Sequence, residues 1–161
     1  MIRLFLLIPT LLLATPAQVI LLRHAENQLK GRERASAFVP FFQGSPAVLA
    51  NGLPAALYAS AAALQTLSPL SEKIDTPIQQ FSNPATLASD ILNNPDYEGK
   101  TIVVCSTHAQ LPSLAALLGA KKAPKKWDED TYDRLWILNF NDEGQVAFQD
   151  LPQKLLYGDS R

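Results

Sequence analysis

His24 and His108 are the two histidines of this chain, and both stand where chemistry is expected. Each lies just past an apolar run of strand length, one over Gln18–Arg23 and the other over Thr101–Cys105. Continuous apolar runs suit parallel strands buried on both faces. Open α/β sheets bind ligands at the carboxyl ends of such strands, so two separate strands deliver an imidazole to one rim. Arg23 adjoins His24. A guanidinium is permanently charged, and its planar fork pairs two phosphate oxygens at once. A neutral imidazole can attack phosphorus and form a phosphohistidine, which splits one hard displacement into two easier ones. Cationic neighbours then offset the charge of the transferring group. The residues therefore point to phosphoryl chemistry.

The elements that must position them follow from periodicity. Lys30–Phe42 has helical spacing, with Ala35, Phe38, Val39 and Phe42 on one face and Arg32, Glu33 and Ser36 on the other. Gly44–Pro54 reads as a loop, Ala55–Ala59 as a short strand, and Ala61–Lys73 as a helix that Pro69 interrupts or restarts. Thr86–Leu92 is a further helix and Asn93–Gly99 a turn region. Leu111–Leu118 is helical, with Pro112 suited to its first turn and Gly119 to its stop. Its opening near Gln110 presents free backbone N–H groups toward an anion. Arg134–Phe140 and Val146–Phe148 are strands joined by a turn over Asn141–Gly144. Alternating strands and helices predict a three-layer α/β/α sandwich around a mainly parallel sheet.

At this point the sequence resembles the histidine phosphatase superfamily, the phosphoglycerate-mutase-like proteins. Leu22-Arg23-His24-Ala25-Glu26 is similar to the Arg-His-Gly/Ala signature at the end of that family's first strand. The segment Cys105–Pro112 is similar to its second-histidine segment. Leu57–Ser60 with Gln65 and Thr66 resembles the segment after the second strand, and Gly31–Ala35 the helix after the first. The resemblance runs from about Val19 to Phe140. It implies that His24 is the nucleophile, that Arg23 clamps the phosphate, and that His108 is a second phosphate contact stabilising the transferring group. The function implied is hydrolysis of phosphate monoesters, with no metal or organic cofactor. Asn27, just beyond His24, is read as a rim residue on the substrate side; the plainer reading has Glu26 and Asn27 only begin the turn into the next helix.

Two departures from the family pattern bear on activity. Members carry a second arginine a few residues before the threonine matched by Thr66, and that position is Ala62 here. Losing one charge-assisted contact costs about 1.5–3 kcal/mol. Active members also use an Asp or Glu to protonate the leaving oxygen, whereas His108 is followed by Ala109 and Gln110. Glu26 and Asp90 are the carboxylates within reach by sequence, and neither is assignable. Arg32 or Arg34 could replace the missing charge, although a solvated helix face is the plainer role for both. These departures motivate the alternative reading, a relative that binds a phosphorylated or anionic ligand without turnover. A third reading is a structural or partner-binding domain.

Composition narrows the partners. Net charge is −1 over 161 residues, so nothing favours nucleic acid. Cys105 is the single cysteine, which excludes an intramolecular disulfide. With His108 it makes two metal-type ligands, short of the three or four that zinc needs. Lys121–Lys126 is a basic run read as a solvated loop, and Trp127 and Trp136 as packing residues. Residues 1–17 have a basic start, an apolar run and small residues at Ala14–Ala17, the pattern of a secretory signal peptide. An uncleaved anchor and a buried first helix are the alternatives. Cleavage after Ala17 would leave almost no leader before the first core strand. This reading places the domain at 18–161, secreted or periplasmic, with no stable membrane span after processing. Oligomeric state has no sequence signal.

Overall fold

The computed structural model describes residues 15–44 and 51–161. The expected signal peptide lies, for residues 1–14, outside the described residues, as does part of the expected Gly44–Pro54 loop. Strands β1 (Gln18–Arg23) and β4 (Thr101–Ser106) are buried at every position. Their side chains alternate between the two faces of the sheet, as period-2 geometry requires. Val19, Leu21, Ile102 and Val104 join one core, and Ile20, Leu22, Val103 and Cys105 join the other. A strand with a core on each side must read as an unbroken apolar run, which is what marks both strands in the sequence.

The other strands are β2 (Ala56–Ala59), β3 (Ile78–Gln80), β5 (Arg134–Phe140) and β6 (Val146–Pro152). Together the strands form one sheet in the order β3-β2-β4-β1-β5-β6. The first four in that order are parallel; β5 and β6 add antiparallel strands at one side. Helices α1 (Gln28–Gly44) and α2 (Leu64–Ile74) cover one face. On the other lie α3 (Pro84–Asn93) and α4 (Leu111–Leu117). This is the expected three-layer sandwich. No helix among the described residues is long and apolar enough to cross a membrane.

One strand has no counterpart in the sequence reading, and two local expectations change. The three-residue β3 carries no apolar run and follows Pro77; it forms because its backbone pairs with β2 at the sheet edge. Pro69 does not break α2. The chain enters through a 3-10 turn over Ala61–Ala63, and the carbonyl left without a helical donor belongs to Gln65, which is exposed. Arg34 is not on a solvated face: it is 1% exposed and lies in α1 beside the buried Ala35.

Candidate active site at the carboxyl rim

The register of β1 on β4 pairs Arg23 with Ser106. The backbone N–H of His24 then donates to the Ser106 carbonyl at 2.8 Å, so His24 and the Ser106–His108 segment leave the sheet side by side. Ser60, at the end of the neighbouring β2, donates its N–H to the Cys105 carbonyl at 3.1 Å. Three parallel strands thus end at one rim. The side-chain atoms Arg23 Nε, Ser60 Oγ and His108 Nδ1 are buried without hydrogen-bond partners among the described residues. All three sit at this rim. Buried polar groups are rarely left unpaired, and each one calls for an explanation such as a catalytic role or a bound ion or water.

His24 is partly exposed, and its Nδ1 lies 3.0 Å from the Ala25 carbonyl oxygen. A carbonyl can only accept, so Nδ1 is the donor in this contact, and Nε2 is the nitrogen that contact leaves for other partners. The Ala25 N–H is fixed in turn by the Thr66 hydroxyl at 2.9 Å. His24 lines a cleft of about 500 Å³ together with Asn27, Gln28, Arg32, Ser36, Ala62, Gln65 and Thr66. The structure therefore brings His24 and Asn27 into one cavity, whereas Arg23 and His108 do not line it. Gly31 makes the near wall possible. A Cβ built there would stand 1.7 Å from the Glu26 carbonyl oxygen, so only glycine lets α1 lie this close to the β1–α1 loop.

Arg23 is 4% exposed and is held by the loop before β5. Its Nη1 donates to the carbonyls of Asp128 at 3.4 Å, Glu129, and Thr131 at 3.1 Å. Nη2 donates to the Tyr132 hydroxyl at 3.2 Å, and the guanidinium stacks 3.9 Å from the Tyr132 ring centroid. The same ring stands edge-on to His24, with centroids 6.0 Å apart. The Trp127 indole N–H closes the loop onto the Thr131 carbonyl at 2.9 Å. Three of these acceptors are backbone carbonyls more than a hundred residues away, so no side-chain signal in the sequence announces them.

Glu26 lines the cleft, but Arg34 holds it. The guanidinium meets both Glu26 oxygens, at 2.7 and 2.8 Å, and both Asp159 oxygens, at 2.8 and 3.0 Å. It also donates to Gln153 Oε1 at 2.8 Å. Burial alone raises the Glu26 pKa; the Arg34 hydrogen bonds and charge, with Lys30, outweigh it and leave the carboxyl below its usual value. Glu26 is thereby kept ionised and is unsuited to donate a proton. Asp90 lines a different cavity, beside Tyr58, Gln79 and Asn83. Cys105 is fully buried in the α1–α2 core, and burial pushes its thiol up, as befits a packing residue. Trp127 and Trp136 are each 3% exposed and stack at 4.6 Å, so both are packing residues as well.

The fold has solved relatives. The protein histidine phosphatase SixA, solved with tungstate, superposes with a TM-score of 0.64 at 14% identity, covering 84% of this chain and 97% of its own. Phosphoglycerate mutase from Plasmodium falciparum gives 0.63 at 17% identity, covering 91% and 98%. A mycobacterial glucosyl-3-phosphoglycerate phosphatase gives 0.56 at 12% identity, covering 84% and 97%. At these identities the likeness is one of fold, the phosphoglycerate-mutase-like α/β sandwich. No protein-family model matches the sequence, and no curated protein sequence matches it.

Proposed function

We propose that this protein hydrolyses phosphate monoesters through a phosphohistidine at His24. The observation that carries the reading is the state of the His24 ring. Its Nδ1 faces the Ala25 carbonyl, an acceptor, which leaves Nε2 as the attacking nitrogen of a ring that lines the cleft. In the first step the Nε2 lone pair attacks phosphorus, the P–O ester bond breaks, and the leaving oxygen takes the electron pair. In the second, water attacks the phosphohistidine, the N–P bond breaks, and phosphate leaves with the imidazole restored. The unpartnered Arg23 Nε and His108 Nδ1 at the rim are the atoms assigned to the phosphoryl oxygens, together with Ser60 Oγ. Asn27 faces the organic part of the substrate from the cleft wall. A neighbour of like fold, the protein histidine phosphatase SixA, was solved with the oxyanion tungstate, which supports the reading of an anion-binding protein.

The test is to quench the full-length protein in base shortly after mixing with an aryl phosphate. Mass spectrometry should then locate an acid-labile phosphoryl group on His24. Steady turnover with no phosphoryl group ever found on His24 would sink the mechanism.

A second reading is favoured by Glu26 and Ala62. With the one cleft carboxylate among the described residues held ionised and no arginine at position 62, the site binds a phosphorylated ligand without hydrolysing it. Phosphate binding without turnover across a broad ester panel would select this reading.

A further inference from the structure

An anion in the His24 cleft needs a cation, and the cationic side chains around the cleft can be accounted for one by one. Arg23 has both terminal nitrogens on the Asp128–Tyr132 loop, which leaves it the Nε N–H and one N–H of Nη2. Arg34 is saturated by Glu26, Asp159 and Gln153. Lys30 Nζ lies 3.6 Å from Glu26, and position 62 is alanine. Arg32 is the remaining arginine. It is exposed, it lines the cleft with His24 and Ala62, and it forms no ion pair among the described residues. The close seat of Gly31 on the Glu26 carbonyl brings this first part of α1 against the loop that carries His24.

We propose that Arg32 is a further residue that holds the anionic group of the ligand in this cleft, supplying an uncommitted planar fork where Arg23 has given Nη1 and one N–H of Nη2 to a loop and position 62 is alanine. The proposal rests on the reading of the cleft as a phosphoryl site. A guanidinium fork on α1 at the cleft edge does the work of one on the facing 3-10 turn, since Arg32 and Ala62 line the same cavity. Because Arg32 is exposed, its contact is screened by salt, and anion affinity falls as ionic strength rises.

The experiment is calorimetric titration of the full-length protein with inorganic phosphate and with tungstate at low ionic strength. The variants are Arg32→Gln, Arg32→Lys, and Arg32→Gln combined with Ala62→Arg. Arg32→Gln should weaken both anions about tenfold or more, the usual size of a lost charge-assisted contact. Arg32→Lys should retain part of the affinity, because charge without the fork is a weaker match. Ala62→Arg should restore binding to the Arg32→Gln protein. Wild-type binding that Arg32→Gln leaves unchanged overturns the assignment of Arg32 while the anion site stands. A wild-type protein that binds neither anion overturns the anion site itself, and this assignment with it.

Discussion

The guanidinium of Arg23 lies over the ring of Tyr132, 3.9 Å from its centroid, and donates to the same tyrosine's hydroxyl at 3.2 Å. Two residues 109 apart in sequence thus join the end of the first strand to the loop that roofs the rim. The Arg23 side chain expected to clamp a phosphate is first of all a clamp on protein. Tyr132→Phe keeps the stacked face and loses one hydrogen bond to a charged group, a cost of about 1.5–3 kcal/mol. Tyr132→Ala also loses the cation–π contact, about a further 0.5–2 kcal/mol. Denaturant midpoints should rank wild type above Phe above Ala; equal midpoints would show that the loop does not depend on Arg23.

Arg34 is the second arginine whose place changes the account. It bridges the β1–α1 loop and the C-terminal segment, buried between two carboxylates. Removing one member of a buried ion pair costs about 3–5 kcal/mol, because the partners stay behind uncompensated. Arg34→Ala should lower stability by that order in an unfolding titration. A loss below about 1 kcal/mol would contradict the buried network.

The same network sets a pH dependence. Burial alone raises the Asp159 pKa, but Arg34 and the N–H groups of Leu155 and Leu156 bring it down to about 2. The unfolded value is about 3.9. A folded pKa below the unfolded one means that the unfolded chain takes up the proton first on acidification. The contribution is therefore complete above about pH 5 and is lost as pH falls through 4 toward 2. Thermal midpoints should drop over that window in the wild type and less steeply in Arg34→Ala; parallel profiles would remove Asp159 as the cause.

Gly31→Ala tests the near wall of the cleft. The added Cβ meets the Glu26 backbone carbonyl, which has no soft rotamer with which to yield. Overpacking of this kind costs about 1–3 kcal/mol. Both the melting temperature and anion affinity should fall, whereas a substitution at the open Gly44 should leave both near wild type.

The ionised state of Glu26 predicts which esters react. Glu26, the one carboxylate lining the cleft among the described residues, is held in its charged form. A leaving oxygen that receives no proton departs fast only when its own pKa is low. A plot of log kcat/KM against leaving-group pKa should fall steeply from nitrophenyl to alkyl phosphates. A flat plot would mean that an acid does act.

What the sequence made legible follows from the range of the interactions. β1 and β4 stand out because burial on both faces demands unbroken apolar runs, and the parallel pairing such runs imply sets the histidines beyond them at one rim. The hydrophobic face of α1, with Ala35, Phe38 and Phe42, is written in a period of 3.6. The edge strand Ile78–Gln80 is not, since its pairing with β2 uses backbone and its side chains are half-buried or exposed. Arg32 and Arg34 are two residues apart and look alike in sequence. Only the distant Gln153 and Asp159 make one of them buried while the other faces the cleft. The occupancy of Arg23 was equally hidden, because carbonyl oxygens belong to every residue.

The most direct test of the account is hydrolysis of 4-nitrophenyl phosphate by the full-length protein and by His24→Ala, both checked for folding by circular dichroism, from acid to neutral pH. The account predicts turnover by the wild type that falls to background in the variant. Turnover that survives in His24→Ala would contradict the central claim that the His24 imidazole is the nucleophile.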